Sequence, residues 1–166
     1  MRSNAWFRRL LILLTIGGGF VGIVVMAQAL PSAWQSGWIS VGIACVFIAL
    51  NSYGVALGFC VAEGRYPAGQ LIVFFLLQIP IMQLPLIGYQ FATGLQVIAG
   101  VFSWRLAFGL VGGSTAQLML GPAGPYGVGI NVAAALLVLA LGTSLVSSGS
   151  PDPADAAKAA EPQYDY

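Results

Sequence analysis

Four long apolar segments without a single charged residue are the feature that most restricts the fold of this chain. They cover residues 10–30, 39–61, 71–89 and 129–146, so each has between 18 and 23 residues. At about 1.5 Å per residue, a helix of this length crosses a hydrocarbon layer of about 30 Å. Because a helix also satisfies its own backbone hydrogen bonds in lipid, each segment predicts a transmembrane helix.

The scarcity of charge excludes an ordinary soluble domain. Charged residues make up 7% of the chain and hydrophobic residues 58%, with a mean hydropathy of +0.89. Soluble domains carry about 25% charged residues, which form the shell that keeps them in solution. We therefore expect an integral membrane protein.

The first apolar segment has a second interpretation as a cleaved signal peptide. Arg8 and Arg9 precede it, and the sequence AQA at residues 27–29 is typical of a signal-peptidase site. The apolar run before that site is longer than the usual ~7–15 residues. The sequence therefore favours a retained first helix over a cleaved signal.

Residues 101–120 have a different pattern, because large and small side chains alternate along the first half. The large apolar residues fall on even positions, and the odd positions are small or polar apart from Arg105. This period of two is typical of a β-strand and not of a helix. The weakly alternating residues 89–98 indicate a possible third strand.

The turn of this predicted hairpin falls at Gly112 and Gly113, with residues 114–120 returning as the partner strand. The alternative is a fifth transmembrane helix, which would bury Arg105 at a cost of roughly 2.5–3.5 kcal/mol. The hairpin is preferred. We expect it outside the membrane or at the interface, with Trp104 against the membrane and Arg105 facing water.

Charge asymmetry predicts the orientation. With four spans, one side of the membrane holds five basic residues and the other side holds only Arg105; the five are Arg2, Arg8, Arg9, Arg65 and Lys158. By the positive-inside rule both termini are expected in the cytoplasm. The composition, rich in Ala, Gly and Pro, suggests a bacterial cytoplasmic (inner) membrane. Residues 150–166 are predicted to form a disordered acidic tail after a membrane domain of residues 1–149.

Uncharged polar residues give the only candidate binding site. Asn51 lies in the middle of the second segment, and Gln78 and Gln83 each stand two residues before a proline in the third. Pro80 and Pro85 would leave helix carbonyls without donors, as occurs at transporter binding sites. The sharper hypothesis is a polar pocket; the alternative, which we favour, is hydrogen bonding between helices.

Two pairs of glycines at a spacing of four indicate close helix packing. Gly18 and Gly22 lie in the first segment, and Gly54 and Gly58 lie in the second. Small residues at this spacing let helix backbones approach one another. The spacing does not identify the helix against which each pair packs.

Few residues in the chain are suited to catalysis or metal binding. The sequence has no His, and the four apolar segments contain no Asp or Glu. Cys45 and Cys60 are more than 20 Å apart on one helix, too far for a disulfide. We therefore expect no enzyme activity, no catalytic or metal-binding residues, no cofactor and no nucleic-acid partner.

The sequence as a whole predicts an all-α integral membrane protein. Its four-transmembrane-helix bundle would carry a small extracytoplasmic β-hairpin between helices 3 and 4. The predicted role is that of an accessory or scaffold subunit of a membrane assembly, with the lipid bilayer, other membrane subunits or itself as partners. A small channel, carrier or lipid-binding protein is the alternative, and a regulatory protein acting through its acidic tail is a weaker one.

Overall fold

The computed structural model describes residues 5–120 and 126–149. The helices in these ranges are α1 (Ala5–Ser36, with a π-helical turn at Leu13–Gly17), α2 (Trp38–Ala62), α3 (Ala68–Leu76) and α4 (Val132–Gly149). Within the described residues, α1 and α2 are the two helices that are long and apolar enough to cross a membrane. The predicted acidic tail lies outside the described residues.

Helices α1 and α2 form an antiparallel hairpin. Gly37 joins them with a φ of 112°, a conformation that L side chains rarely adopt. At the opposite end, Arg8 near the start of α1 donates a hydrogen bond of 2.6 Å to the carbonyl of Ala62, the last residue of α2. A cation is favourable there because the helix dipole is negative at its C-terminus.

The remaining elements are six strands: β1 (Pro80–Gln83), β2 (Ile87–Ala92), β3 (Leu95–Phe102), β4 (Arg105–Gly112), β5 (Thr115–Leu120) and β6 (Gly127–Asn131). They form one antiparallel sheet in the order β4-β3-β6-β1-β2-β5. The predicted all-α bundle of four transmembrane helices is therefore wrong, since the protein combines helices with a six-stranded sheet.

The third and fourth predicted spans are each part helix and part strand. Helix α3 ends at Leu76, and Pro80 begins β1, where a residue without an N–H is tolerated. Pro85 falls in the three-residue connection, residues 84–86, between β1 and β2. The last segment begins as β6 and becomes helical only at Val132. Apolar length alone could not separate these halves, because both are equally hydrophobic.

Strands β2 to β5 form one long hairpin that is bent in its middle. Ile87 faces Leu120 at one end and Phe102 faces Arg105 at the other, and the residue numbers of every facing pair have the same sum. The register continues through the bend, where Gly113 N–H donates to Gly94 O at 2.6 Å. We call this bend, residues 93–94 and 113–114, the arch.

The arch forces the sheet to curl. Strands β1 and β6 lie between the two arms of the bent hairpin, so β4 and β5 become opposite edges of the sheet. In a flat sheet those edges would be about 24 Å apart at a strand spacing of ~4.8 Å. Gly112 and Thr115 are three residues apart, which limits their separation to about 11 Å. The edges therefore approach each other at the arch.

The hairpin turn is at a different position from the predicted one. The tight turn is formed by Ser103 and Trp104, with φ values of 51° and 64°, which is the positive-φ pair of a type I′ turn. Gly113, with a φ of 113°, lies in the arch instead, and Gly112 directly precedes it at the end of β4. The Gly-Gly pair does provide the positive φ angle that was expected of it, but at a bend within the hairpin and not at the turn that ends it.

The two faces of the curled sheet differ in polarity, because the inner face carries amides among apolar side chains such as Ile81 and Phe102. Every Gln and Asn in the described strands lies on the inner face: Gln83, Gln90, Gln96, Gln117 and Asn131. The outer face carries apolar side chains and one tyrosine, Tyr89. This assignment follows because facing residues of paired strands share a face and successive residues alternate.

Half of the outer face packs against the helices. The ring of Phe91 lies 5.6 Å from that of Phe47 in α2 and 6.1 Å from that of Phe74 in α3, measured between centroids. These buried rings belong to the main hydrophobic core, which also includes Leu11 and Leu71. The other half of the outer face is uncovered.

Candidate functional site

A group of buried amides lies at the end of the sheet that contains the arch. Gln78, which follows α3, accepts hydrogen bonds at its Oε1 from the N–H of Thr93 at 3.0 Å and from the Thr93 hydroxyl at 3.2 Å. On the inner face, the Gln90 amide donates to Oε1 of Gln96 at 3.1 Å. Gln78, Thr93 and Gln96 are almost fully buried. These contacts hold the arch against the end of α3.

Asn131 joins the sheet to the last helix. Its Oδ1 accepts a hydrogen bond of 3.2 Å from the N–H of Val97, which continues the ladder of β3 beyond the end of β6. The same oxygen lies 3.5 Å from the N–H of Ala134, in the first turn of α4. Asparagine is a preferred residue at this position because its side chain satisfies a free helix N–H.

Three buried amide atoms have no hydrogen-bond partner among the described residues. They are Nε2 of Gln96, Nδ2 of Asn131 and Oδ1 of Asn51. An unpaired buried polar group typically costs about 1–3 kcal/mol. Two of the three are donors on the inner face, so unpaired polar groups lie among the apolar side chains of the sheet's interior.

Helices α1 and α2 approach each other closely at glycines that contact side chains of the facing helix. Gly22 in α1 packs directly on the side chain of Asn51 in α2, where a Cβ would overlap the amide. Gly58 faces Thr15 of α1 in the same way. Asn51 donates to the carbonyl of Phe47 at 2.8 Å within its own helix.

The other two predicted packing glycines face different elements. Gly54 lies against the ring of Phe74 in α3, so this position of α2 packs away from α1. Gly18 lies against the backbone of Thr93 and Gly94 at the arch, and its carbonyl accepts a hydrogen bond from the hydroxyl of Ser114. The arch is therefore anchored to the first half of α1.

The structure does not bring the three residues of the predicted polar pocket together. Asn51 lies in the interface between α1 and α2, whereas Gln78 bonds to Thr93 and to the carbonyl of Phe74 at 3.5 Å. Gln83 is half-buried in β1, and no side-chain hydrogen bond of Gln83 is found in the described part of the chain. The carbonyl of Leu76 is not free either, because it accepts from the N–H of Ile79 at 3.2 Å.

The residues of the expected outer hairpin are exposed at one end of the sheet. Trp104 is 93% exposed in the tight turn, and Arg105 begins β4 beside it. Arg105 is the one charged residue in the described strands. Both residues lie at the far end of β4 from the arch.

The other charged residues of the described ranges cluster at the end of the helix hairpin opposite Gly37. Arg8 and Arg9 lie in the first turns of α1, and Glu63 and Arg65 follow α2 directly. The side chains of Glu63 and Arg65 form an exposed ion pair. The hydrogen bond from Arg65 to Glu63 and the negative charge of Glu63 raise the pKa of Arg65 above its ordinary value, so that Arg65 stays charged.

The uncovered half of the outer face is a continuous apolar surface. Leu106, Phe108 and Leu110 on β4 are 76%, 79% and 74% exposed, and the neighbouring strands add Val128 and Ile130. We call these residues, together with Val101, the open face. Water-soluble proteins rarely leave an apolar patch of this kind uncovered.

A cleft separates the helix hairpin from the edge strand β5. Its volume is about 230 Å³, and its lining is mostly apolar, with Met26 and Ala33 from α1, Ile43 and Phe47 from α2, and Leu118 from β5. A second, smaller cavity of about 180 Å³ lies beside Trp104 and Tyr126. Neither cavity contains a charged side chain in its lining.

Sequence reasoning missed Thr93, Gln96 and Asn131. A signal for the two amides was present, since both occupy inner-face positions between outward-pointing apolar residues in β3 and β6. Gln96 fell in the weakly alternating residues 89–98, which were given only as a possible third strand, and Asn131 fell in a predicted helix. Thr93 had no such signal, because its importance comes from the arch.

Within the described residues, no group of three or more His, Cys, Asp and Glu is placed to hold a metal ion. Comparison of the chain with protein-family models, with curated proteins and with solved structures found no match in any of the three.

Proposed function

We propose that this chain is a non-enzymatic integral membrane protein that acts as an accessory or scaffold subunit of a membrane assembly. The observation that carries the proposal is the distribution of side chains over the sheet. All strand amides are on the inner face and the outer face is apolar, which is the reverse of the pattern in a water-soluble sheet. A surface of this kind suits lipid or another membrane protein.

The contacts between the sheet and the helices support a location of the sheet within the membrane. The arch packs against Gly18, and Ala116 and Leu118 of β5 line the same cleft as Ala33 of α1. These residues of α1 are 15 apart, or about 22 Å along the helix axis. If α1 and α2 span the bilayer, the sheet lies within the hydrocarbon layer and not outside it.

The distribution of charge and tryptophan supports an orientation. Arg8, Arg9 and Arg65 lie at one end of the helix hairpin, which the positive-inside rule assigns to the cytoplasm. At the other end, Trp34 and Trp38 pack edge to face at 4.7 Å, as residues of an interfacial belt do. We infer a bacterial cytoplasmic (inner) membrane with both termini in the cytoplasm.

The scaffold role is tested by native mass spectrometry of the full chain after gentle detergent extraction. We expect a stoichiometric protein partner that is held by the open face. Val128→Ser should release it, because the substitution places a hydroxyl in that apolar face. Val24→Ser is the matched control, since Val24 on α1 and Val128 are both 53% exposed. A wild-type chain that carries no protein partner would contradict the scaffold role.

A second candidate function, lipid binding, is favoured by the cleft beside β5. The cleft is apolar and open, and its volume of about 230 Å³ suits part of an acyl chain. A phospholipid retained in native mass spectra should be lost in Ala33→Phe, which fills the cleft. It should persist in Ala27→Phe, a control at an exposed position outside the lining. Equal retention by both variants would rule out the cleft as the binding site.

A further inference from the structure

Two buried amides on the inner face of the sheet have donors without an acceptor. Gln96 in β3 and Asn131 in β6 are both 0% exposed, and Nε2 of Gln96 and Nδ2 of Asn131 have no hydrogen-bond partner in the described ranges. Each of these nitrogens carries two N–H groups. Because a buried donor without an acceptor is costly, the two amides indicate a bound hydrogen-bond acceptor.

The two amides are neighbours on the inner face. Asn131 faces Ile98 of β3, and Gln96 lies two residues before Ile98 on the same face. Side chains in this diagonal relation have Cβ atoms about 7–8 Å apart or somewhat less. The N–H of Val97, the residue after Gln96, also donates to Oδ1 of Asn131 at 3.2 Å, which keeps the Asn131 amide beside Gln96. Both side chains can therefore reach one acceptor that lies between them.

The hydrogen bonds that Asn131 accepts determine the orientation of its amide. Oδ1 faces the N–H groups of Val97 and Ala134, so Nδ2, bonded to the same carbon, lies beside the first turn of α4. Exchanging the two atoms would turn a donor toward two donors. The first N–H groups of this 18-residue helix have no partner within it, and its dipole is positive at this end. Nδ2 therefore adds a donor where negative charge is already favoured.

Within the described residues, no acidic side chain competes for these donors. The described strands and α4 contain no Asp or Glu, and Glu63, the one acidic residue of the described ranges, follows α2 outside the sheet. A water molecule between the amides would also have two protons to place. On the inner face of the described strands, no buried side-chain acceptor lacks a partner. An occupant that only accepts hydrogen bonds, an anion, matches the two donors better.

The inner face has space beside these amides. Gly109 of β4 faces Ile98, and apart from its own chain neighbours, a Cβ added to Gly109 would meet no atom closer than 3.9 Å. Val111, which faces Gln96, is 39% exposed, so solvent lies one strand away. A halide suits this position because it has a single charge and accepts N–H groups from any direction. A large halide is also dehydrated at a lower cost than a small one.

We propose that Gln96, Asn131 and the N-terminus of α4 form a binding site for a monovalent, halide-sized anion on the inner face of the sheet. The anion accepts hydrogen bonds from Nε2 of Gln96 and Nδ2 of Asn131 and lies against the positive end of the α4 dipole. It thereby joins β3 to the start of α4. The site goes beyond the proposed function and does not depend on it, because it is built from contacts within one chain.

Bromide is the probe for a test with the full chain in detergent. Replacing gluconate by bromide at constant ionic strength should raise the midpoint of thermal unfolding of the wild-type chain until the site is saturated, because a ligand of the folded state stabilises it. Asn131→Asp should not respond. Its carboxylate keeps both accepted hydrogen bonds and is a good N-cap, but it replaces the donor by an oxygen and places a negative charge where bromide would bind.

Gln83→Glu is the matched control. It makes the same change from amide to carboxylate on the inner face, but at the other end of the strands, where Gln83 faces Gly127. It should respond to bromide as the wild-type chain does. Gln96→Glu covers the case in which Asn131→Asp does not fold. It keeps the oxygen that accepts from Gln90 and should also lose the response.

Crystals of the wild-type chain grown in bromide locate the ion. Anomalous scattering should show a peak within hydrogen-bond distance of Nε2 of Gln96 and Nδ2 of Asn131. A water molecule there without an anomalous peak, or a wild-type midpoint that bromide leaves unchanged, would overturn the proposal. So would an equal bromide response from the wild-type chain, Asn131→Asp and Gln96→Glu. A chain that binds bromide but carries no protein partner would reject the scaffold role and support the anion site.

Discussion

Asn51 shows how a single polar residue determines the packing of two apolar helices. Its amide occupies the space that Gly22 leaves by lacking a side chain, and its Oδ1 has no hydrogen-bond partner in the described residues. The sequence identified both residues, because an Asn in an apolar span and a glycine pair are visible exceptions. It could not predict their contact, since the facing of two helices depends on their relative rotation.

Gly22→Ala should lower stability by about 1–3 kcal/mol, the range for overpacked interiors. The new methyl group would overlap the Asn51 side chain. Gly42→Ala is the control, because the space around Gly42 is open and alanine favours a helix. Thermal unfolding in detergent measures both variants. The double variant Gly22→Ala, Asn51→Ala should recover most of the loss; the same loss with and without Asn51 would refute the contact.

Gln78→Leu should also destabilise the protein, by about 1–3 kcal/mol, because it leaves the buried N–H of Thr93 without an acceptor. Gln83→Leu should have a much smaller effect, since Gln83 is half-buried. The comparison uses the midpoint of thermal unfolding of each variant. If the Gln83 substitution costs as much as the Gln78 substitution, the arch contact is not what makes Gln78 important.

At the scale of elements, hydropathy identified the apolar segments but not their backbone conformation. The expected spans over residues 71–89 and 129–146 are each divided between helix and strand. A window of apolar residues has the same mean hydropathy in either conformation. The prolines at 80 and 85 were the physical signal for the division, because each removes an N–H that a continuous helix would need.

Alternation was the more informative pattern for the remaining strands. It excluded a helix over residues 101–111, where the structure has the end of β3, the tight turn and most of β4. The turn was misplaced because Ser103 and Trp104 are unusual residues for two successive positive φ angles. Their conformation is imposed by pairing of β3 with both β4 and β6, which no local sequence pattern reveals.

The tight turn therefore carries a strain that better residues should relieve. Replacing Ser103 by Asn and Trp104 by Gly should raise the unfolding midpoint, because non-glycine residues in this conformation cost about 1–2 kcal/mol each. Unfolding of the double variant in detergent, compared with Ser36→Asn as a control outside the turn, measures the gain. An unchanged or lower midpoint would mean that the exposed Trp104 side chain contributes more than the strain costs.

The described part of the molecule has its charges at two ends and the amides of its strands on the inner face of the sheet. Arg8, Arg9, Glu63 and Arg65 lie at the open end of the helix hairpin, and Arg105 lies at the far end of β4. Between these ends, the described surface of the helices and the open face is mostly apolar, with a few polar residues such as Gln28 and Ser52. The sequence indicated that basic residues are unevenly distributed, and the structure has Arg8, Arg9 and Arg65 at one end and Arg105 at the other. The orientation in a membrane stays a prediction.

The membrane topology should therefore place Arg105 and the helix turn on one side and Glu63 on the other. In a chain without Cys45 and Cys60, an impermeant thiol reagent added to intact cells should label Arg105→Cys and the control Ser36→Cys. Glu63→Cys should be labelled only after the membrane is opened. Labelling of all three positions in intact cells would show that the helix hairpin does not span the bilayer.

The position of β6 in the sheet has a consequence for biosynthesis. This strand, Gly127–Asn131, is the last of the six to leave the ribosome, yet it lies in the middle of the sheet between β1 and β3. Until it is made, both neighbouring strands present unpaired edges, and the two arms of the bent hairpin have nothing to hold them side by side. The sheet must therefore assemble late and over long sequence separations, which is slow. Nascent chains that stop before residue 127 should be the forms most exposed to proteolysis and aggregation.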